Sequence, residues 1–356
     1  MSPVAPLRIL YVGLRNDYGD PRRGYSFEYV NFFETLSAME DVKVLEFPFD
    51  EVMRQWGRET MNVKLLEAAE EMKPDICFFM LFTDEVKRET IRKLSDRKGS
   101  QTLNWFADDH WRFHGFSRFW APLFHWVVTT DKYSVERYRR IGCRNVIKSQ
   151  WGFNHRIYRR SDVPQDHDVT FVGQAHSSRR RFAGALERAG VHVEFWGKGW
   201  NNGRLKQNEM IELFSRTRIN LNFADSSFGF RLKPIVKTVL SRRADGTYTV
   251  QAPRQILGNV STLFDGKHPQ IKGRNFEIPG SGGFLLTQQV DGIEEYFIPG
   301  REIALFHSEN DLTEKVQFFL KNEGERESIR QAGYERALKD HTFQKRFEDI
   351  FRIVAG

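Results

Sequence analysis

Apolar runs bounded by turn residues alternate with segments of helical period along almost the whole chain. "RILYVGL", "VKVLEF", "DICFFML" and "QTLNWFA" read as strands. Between them, "YSFEYVNFFETLSAM" puts Phe27, Val30, Phe33 and Leu36 on one side of a predicted helix, and "VKLLEAAEEM" and "DEVKRETIRKLSD" predict two more. "HWVVTTD" and "RNVIKSQ", with the helix "KYSVERYRRIG" between them, close the first half. These strands are continuously apolar, which predicts burial on both faces: a parallel sheet covered by helices. The polar, basic stretch "HRIYRRSDVPQDHD" (155–168) interrupts the pattern, which then restarts. "DVTFVGQ", "VHVEFWG", "RINLNFA", "GGFLLT" and the short "REIALFH" are strands, "RRRFAGALERAG" and "NEMIELFSRT" helices, and the last stretch is helical from "DLTEKVQFFLKN" onward. The expected fold class is therefore α/β: two Rossmann-like halves, 1–160 and 161–340, with 226–272 an irregular insert in the second. In such folds a ligand sits beyond the carboxyl ends of the strands, and with two facing domains in the cleft between them.

Composition narrows this picture only slightly. A chain of 356 residues exceeds what one hydrophobic core usually supports, which agrees with two domains. With 40% hydrophobic and 28% charged residues it is globular rather than disordered. Two cysteines, Cys77 and Cys143, cannot form a disulfide framework and fit a reducing interior. "MSPVAPLRILYVG" reads as a first strand and not a signal peptide, and "ICFFMLF" is too short to cross a bilayer. A soluble, cytoplasmic protein is expected. The net charge of +7 favours anionic partners, among them nucleotide phosphates, nucleic acid and anionic membrane surfaces.

Several stretches have the residues for chemistry. In "FVGQAHSSRRRF" (171–182) a strand ends at Gly173 and a helix opens on Arg179, Arg180 and Arg181. A helix start offers free N–H groups to a diphosphate, and cations there oppose the helix dipole unless an anion is near. The bland reading is a solvated basic turn. Gly13 ends the first strand, and Gly19 and Gly24 in the following loop permit close backbone approach; a merely flexible loop is the alternative. "NWFADDHWRFHGFSRFW" (104–120) sets Asp108, Asp109, His110, Arg112 and His114 among aromatics, suited to acid–base work, sugar stacking or simple capping within a core. Metal binding is the weakest reading, because no second ligand cluster accompanies it. "FWGKGW" (195–200) is a tight turn or a wall for a base. No Walker loop, Gly-x-Ser-x-Gly elbow or zinc spacing is present, which weighs against kinases and hydrolases. In "GRNFEIPGSGGFLLT" (273–287), Glu277 is a carboxylate acceptor placed just ahead of a Pro/Gly/Ser-rich turn.

Taken together, "DVTFVGQ…RRRF", "RINLNF", "GRNFEIPGSGGFLLT", "DGIEEYFIPGREIALF" and "AGYERALKDHTFQKR" resemble the CgeB-like glycosyltransferases, GT-B enzymes similar in their C-terminal half to glycosyltransferase family four. The resemblance implies two facing Rossmann-like domains with parallel sheets and a C-terminal helix, 341–356, that crosses back to the N-terminal domain. It implies a nucleotide-diphosphate sugar donor (UDP-, GDP- or dTDP-linked) held mainly by the second domain. Glu277 would accept the ribose hydroxyls, and the turn Gly280, Ser281, Gly282 and Gly283 would present backbone N–H groups to the phosphates. Arg274 and Arg179–Arg181 would neutralise the leaving diphosphate, so that neither a metal nor another cofactor is required. One departure stands out: Pro269 occupies the place where many family-four enzymes carry an earlier glutamate. Retention of configuration is the family-level expectation; an inverting enzyme would need a base in the first domain, for which Asp109 and His110 are the candidates.

The acceptor is open on this reading: polysaccharide, protein, lipid-linked sugar or nucleic acid. The basic, aromatic stretch 105–126 suits peripheral contact with an anionic surface as well as nucleic acid. Two further readings compete, a non-catalytic GT-B-like module binding glycan or nucleic acid, and a sugar-nucleotide epimerase of the same fold.

Overall fold

The computed structural model describes residues 5–224, 239–264 and 269–355. They fall into two compact units, each built around its own sheet. The first comprises residues up to 150, the described part of the insert (239–264) and the chain from 346 onward; the second comprises 151–224 and 269–345. Of the expected insert 226–272, residues 226–238 and 265–268 lie outside the described residues.

The first unit has six parallel strands: β1 (Leu7–Gly13), β2 (Val42–Pro48), β3 (Ile76–Phe79), β4 (Gln101–Phe106), β5 (Trp126–Thr129) and β6 (Val146–Lys148), in the order β2-β1-β3-β4-β5-β6. The central β1 and β3 are the most apolar. Ile9, Leu10, Tyr11, Val12 and all four residues of β3 are buried, as helices on both faces require. The first predicted helix is present but contains one π turn over Tyr29–Phe33. Its start is fixed by Ser26, whose hydroxyl accepts from the Tyr29 N–H at 2.9 Å and donates to the Leu14 carbonyl at 2.5 Å. The helix read from "VKLLEAAEEM" starts earlier, at Phe49, and runs to Met72 with a break at Gly57, whose φ of 78° only glycine adopts easily. The early start was not legible because Asp50 is buried there, accepting from the backbone N–H groups of Arg15 and Asn16 at 2.9 and 3.1 Å.

The described insert belongs to this first unit. A hairpin of β10 (Leu240–Arg242) and β11 (Tyr248–Val250) is followed by a helix, Pro253–Phe264. At the hairpin turn, Arg243 grips Asp84 through two bonds of 2.7 and 2.8 Å, and the Ala244 N–H donates to Glu85 at 3.0 Å. Gly19, at φ +70°, lies so close to Ala244 that a Cβ would stand 2.1 Å from its carbonyl oxygen. The close backbone approach expected of Gly19 is thus made to the chain itself. Since the strand order reverses between β1 and β3, the hairpin turn rests on the two loops that flank the topological switch point, where open α/β sheets usually bind ligands. The final helix, Phe343–Ala355, sends Phe347 edge-on against Phe32 and Phe78, with ring centroids 5.4 and 5.7 Å apart.

The second unit has five parallel strands, β7 (His167–Val172), β8 (Glu194–Trp196), β9 (Thr217–Asn222), β12 (Leu285–Gln288) and β13 (Ala304–Phe306), in the order β13-β12-β9-β7-β8. Phe171, Phe182, Phe223 and Phe306 form one side of its core; Phe223 stacks on Phe171 at 4.7 Å and on Phe182 at 4.9 Å. Its switch point lies between β7 and β9. Among the described residues no helix is long and apolar enough to cross a membrane.

Phe347 is fully buried, so Phe347→Ala should cost about 3–5 kcal/mol by leaving a cavity between two aromatic rings. Urea unfolding followed by a probe in the first unit measures this, and a loss under about 1 kcal/mol would show that the final helix contributes little to that core.

Candidate functional site

In the second unit the sequence 273–287 folds as a short helix, Arg274–Gly280, followed by a turn into β12. The helix start is tied to the sheet by three buried amide and hydroxyl side chains. Asn222 Nδ2, at the end of β9, donates to Asn275 Oδ1 (3.2 Å) and Thr287 Oγ1 (3.0 Å), and Asn275 Nδ2 donates to the same hydroxyl at 3.1 Å. Asn275 Oδ1 also accepts from the Lys272 N–H at 2.9 Å. These bonds set the rotation of the helix and turn Glu277 inward, where none of its surface meets solvent.

A buried carboxylate needs donors. Tyr158, in the stretch between the two sheets, donates its hydroxyl to Glu277 Oε1 at 2.9 Å, and Gln207 Nε2 donates to that hydroxyl at 2.7 Å. Arg274 Nη1 makes an ion pair with Glu277 Oε2. Desolvation holds the Arg274 guanidinium below its ordinary pKa. Neither Tyr158 nor Gln207 carries a sequence signal; the i,i+3 spacing of Arg274 and Glu277 does, since it places both on one helix face.

The turn after the helix differs from the expectation of free backbone donors. The N–H groups of Ser281, Gly282 and Gly283 bond to the carbonyls of Glu277, Pro279 and Ile278 at 2.9, 2.8 and 2.9 Å, closing the helix end. Its glycines make room for packing instead: a Cβ on Gly280 would lie 2.4 Å from the Phe153 ring, and one on Gly283 2.7 Å from the Phe214 carbonyl oxygen. This is the carbonyl end of a helix, which the dipole makes unfavourable for phosphate.

At the β7/β9 switch point stand Gly173 and the start of the helix Ser177–Arg188. Arg179 Nη1 donates to the Gln174 carbonyl at 2.9 Å and Nη2 to that of Phe223 at 3.3 Å, bridging the two strand ends; Gly173 leaves it room. Arg180 donates to the Gly199 carbonyl at 2.6 Å with its guanidinium over Trp200, and Arg181 pairs with Glu309 at 2.5 Å. Internal carbonyls and one carboxylate are thus the partners of these cations at this helix start. "FWGKGW" is a tight turn closed on the same loop: Trp200 Nε1 donates to the Gly173 carbonyl at 2.9 Å.

In the first unit, Asp109 is 1% exposed, and its oxygens accept from the Tyr138 hydroxyl at 2.8 Å and the Thr129 hydroxyl at 2.6 Å. Burial pushes its carboxyl up to about 7 against the lowering effect of Ser117, Thr129 and Tyr138. It is an anchor inside the unit. His110 follows half-buried in the short helix Asp109–Arg112, and Arg112 donates to the Phe82 carbonyl at 2.5 Å. Gly13 closes β1 beneath the Tyr11 ring. Among the described residues no three His, Cys, Asp or Glu side chains gather as a metal site.

With this geometry in view, residues 243–352 match the family model of glycosyl transferase-like proteins. Sucrose-phosphate synthase from Thermosynechococcus elongatus superposes with a TM-score of 0.57 at 10% identity, covering 97% of this chain and 98% of that one. A glycosyltransferase from Rickettsia africae gives 0.57 at 9%, covering 98% and 99%, and HepE of Anabaena in complex with UDP-glucose 0.57 at 11%, covering 97% and 99%. No curated protein matches the sequence. Two parallel-sheet α/β units with these neighbours make the fold GT-B. The matched family segment points the same way, to an enzyme class that transfers sugars.

The Asp109 carboxyl gives a pH test. An unfolded aspartate titrates near pH ~3.9. Between about pH 4 and 7 the unfolded chain therefore releases a proton that the native state keeps, so this group's contribution falls as pH rises. The stability of wild type minus that of Asp109→Asn should decrease from pH 4.5 to 7.5, roughly across that window, in urea unfolding. A difference that stays constant would mean the buried carboxyl titrates elsewhere.

Proposed function

We propose that this protein transfers a sugar from a nucleotide-diphosphate donor to a hydroxyl acceptor, with the second unit holding the donor through Glu277. The observation that carries this reading is the fully buried Glu277 carboxylate, held in place by Tyr158 and Arg274 inside a GT-B fold. Two hydroxyls of a ribose are suitable donors to such a group. HepE, with the same fold, binds UDP and UDP-glucose, which makes UDP-linked sugars the first donors to test ahead of GDP- and dTDP-linked ones. Arg274 and the arginines of the helix Ser177–Arg188, chiefly Arg179 at the switch point, supply positive charge for a leaving diphosphate, and metal-independent transfer follows from that supply. Retention of configuration remains part of this proposal at the level of the family resemblance.

A panel of UDP-, GDP- and dTDP-sugars in thermal-shift and donor-hydrolysis assays tests the proposal. At a hundred times Kd a ligand stabilises by about 2.7 kcal/mol, a readily seen rise in Tm. Glu277→Gln, which keeps the shape and removes the charge, should abolish most of that rise. No shift and no hydrolysis with any of the three nucleotides at millimolar concentration would defeat the reading.

A further inference from the structure

Because Glu277 has no solvent-exposed surface, a ligand hydroxyl reaches its carboxylate only if a covering group moves. The two groups that cover it are unequal. Tyr158 is 2% exposed, its N–H is bonded to the Asn154 carbonyl at 2.8 Å, and Gln207 donates to its hydroxyl, which directs the phenolic proton onto Glu277 Oε1. That side is locked.

Arg274 is not. Its side chain keeps 28% of its exposure, where Glu277 has none. Among the described residues its Nε is buried without a hydrogen bond, and its Nη2 meets only the Met210 sulfur, 2.9 Å away, a weak acceptor. The guanidinium lies 5.5 Å from the Phe214 ring centroid, a contact that supplies no acceptor for its remaining N–H groups. A planar fork with five donors thus has one strong partner among the described residues, Glu277 Oε2. Such a cation gains from phosphate oxygens, which would satisfy the donors that thioether and ring leave idle.

We propose that the Glu277 carboxylate has one fixed and one exchangeable side: Tyr158 keeps Oε1, and Arg274 gives up Oε2 to an arriving nucleoside diphosphate. The ribose hydroxyls take the place of Arg274 on the carboxylate, and the guanidinium turns to the phosphate oxygens. The inference rests on Glu277 as the ribose ligand and adds how that buried group becomes available. Tyr158 is a positioning residue, acting on the ligand through Glu277. A nucleoside lacking phosphates must break the ion pair with nothing to replace it for Arg274, whereas a diphosphate supplies the replacement. The site therefore selects for the diphosphate through a bond that the free protein already makes.

Calorimetric titration of UDP against uridine, and of GDP against guanosine, tests this in wild type, Arg274→Gln and Tyr158→Phe. In Arg274→Gln the ratio of diphosphate to nucleoside affinity should fall about tenfold or more, the scale of a lost charged hydrogen bond. Tyr158→Phe should weaken diphosphate and nucleoside by the same factor, leaving the ratio as in wild type. Should Arg274→Gln fail to fold by circular dichroism, Arg274→Lys serves instead, and a reduced ratio is again expected because a point charge replaces the fork. An equal loss for both ligands in the Arg274 variants, or a changed ratio in Tyr158→Phe, overturns the exchange while leaving Glu277 as ribose ligand. If neither diphosphate binds the wild type and dTDP likewise gives no thermal shift, the donor reading itself falls and the exchange with it.

Discussion

A carboxylate sealed from water has to be matched by donors within the protein, and much of the second unit is arranged around that requirement at Glu277. The asparagine pair and Thr287 fix the helix that carries it; Gln207 fixes the tyrosine that faces it; Arg274 supplies the countercharge. The turn that follows is buried for the same purpose. Its Ser281 carbonyl accepts from Ser215 at 2.7 Å, and Arg330 donates to the Gly282 carbonyl, so the helix cannot slide without losing bonds at both ends. Removing one member of a buried ion pair leaves the other uncompensated, which is why these neighbours depend on one another more than their separate bonds suggest.

How far the sequence revealed this depends on the distance between partners. Strands buried on both faces, such as "ICFF", have no polar position to mislead, and every predicted parallel strand is found. The place of the insert was hidden because Arg243 and Ala244 meet acids 159 residues away, and mixed charge with no period reads as a loop whatever it docks on. Glu277 was visible as a carboxylate before a turn, but its burial was not: Tyr158 is 119 residues distant. The glycines after it looked like phosphate donors because composition does not tell the amino end of a helix from its carbonyl end. Only the chain direction and hydrogen bonds do that.

The arginines at the start of the helix Ser177–Arg188 carry a related lesson. Cations at that end oppose the dipole, and a nearby anion is the simple explanation. Here the strand-end carbonyls of Gln174, Phe223 and Gly199 and the Glu309 carboxylate answer much of that charge. Arg179 then does two things at once, joining the loops after β7 and β9 and keeping positive potential at the switch point. An arginine that braces its own loops loses less freedom on meeting a phosphate than one waving in solvent.

The first unit is assembled from three separated stretches of chain, with the Arg243 hairpin seated at its switch point and Phe347 between two of its core rings. Its strands leave the ribosome early, but the aromatic rings of β3 and of the first helix stay without the cover of Phe347 until that residue has been made. Residues 151–345 emerge in between. The amino-terminal sheet must therefore wait, with part of its apolar surface open, for a closure of very long sequence separation. It is thus made before it can be completed, and apolar surface left open in such an interval favours misassembly.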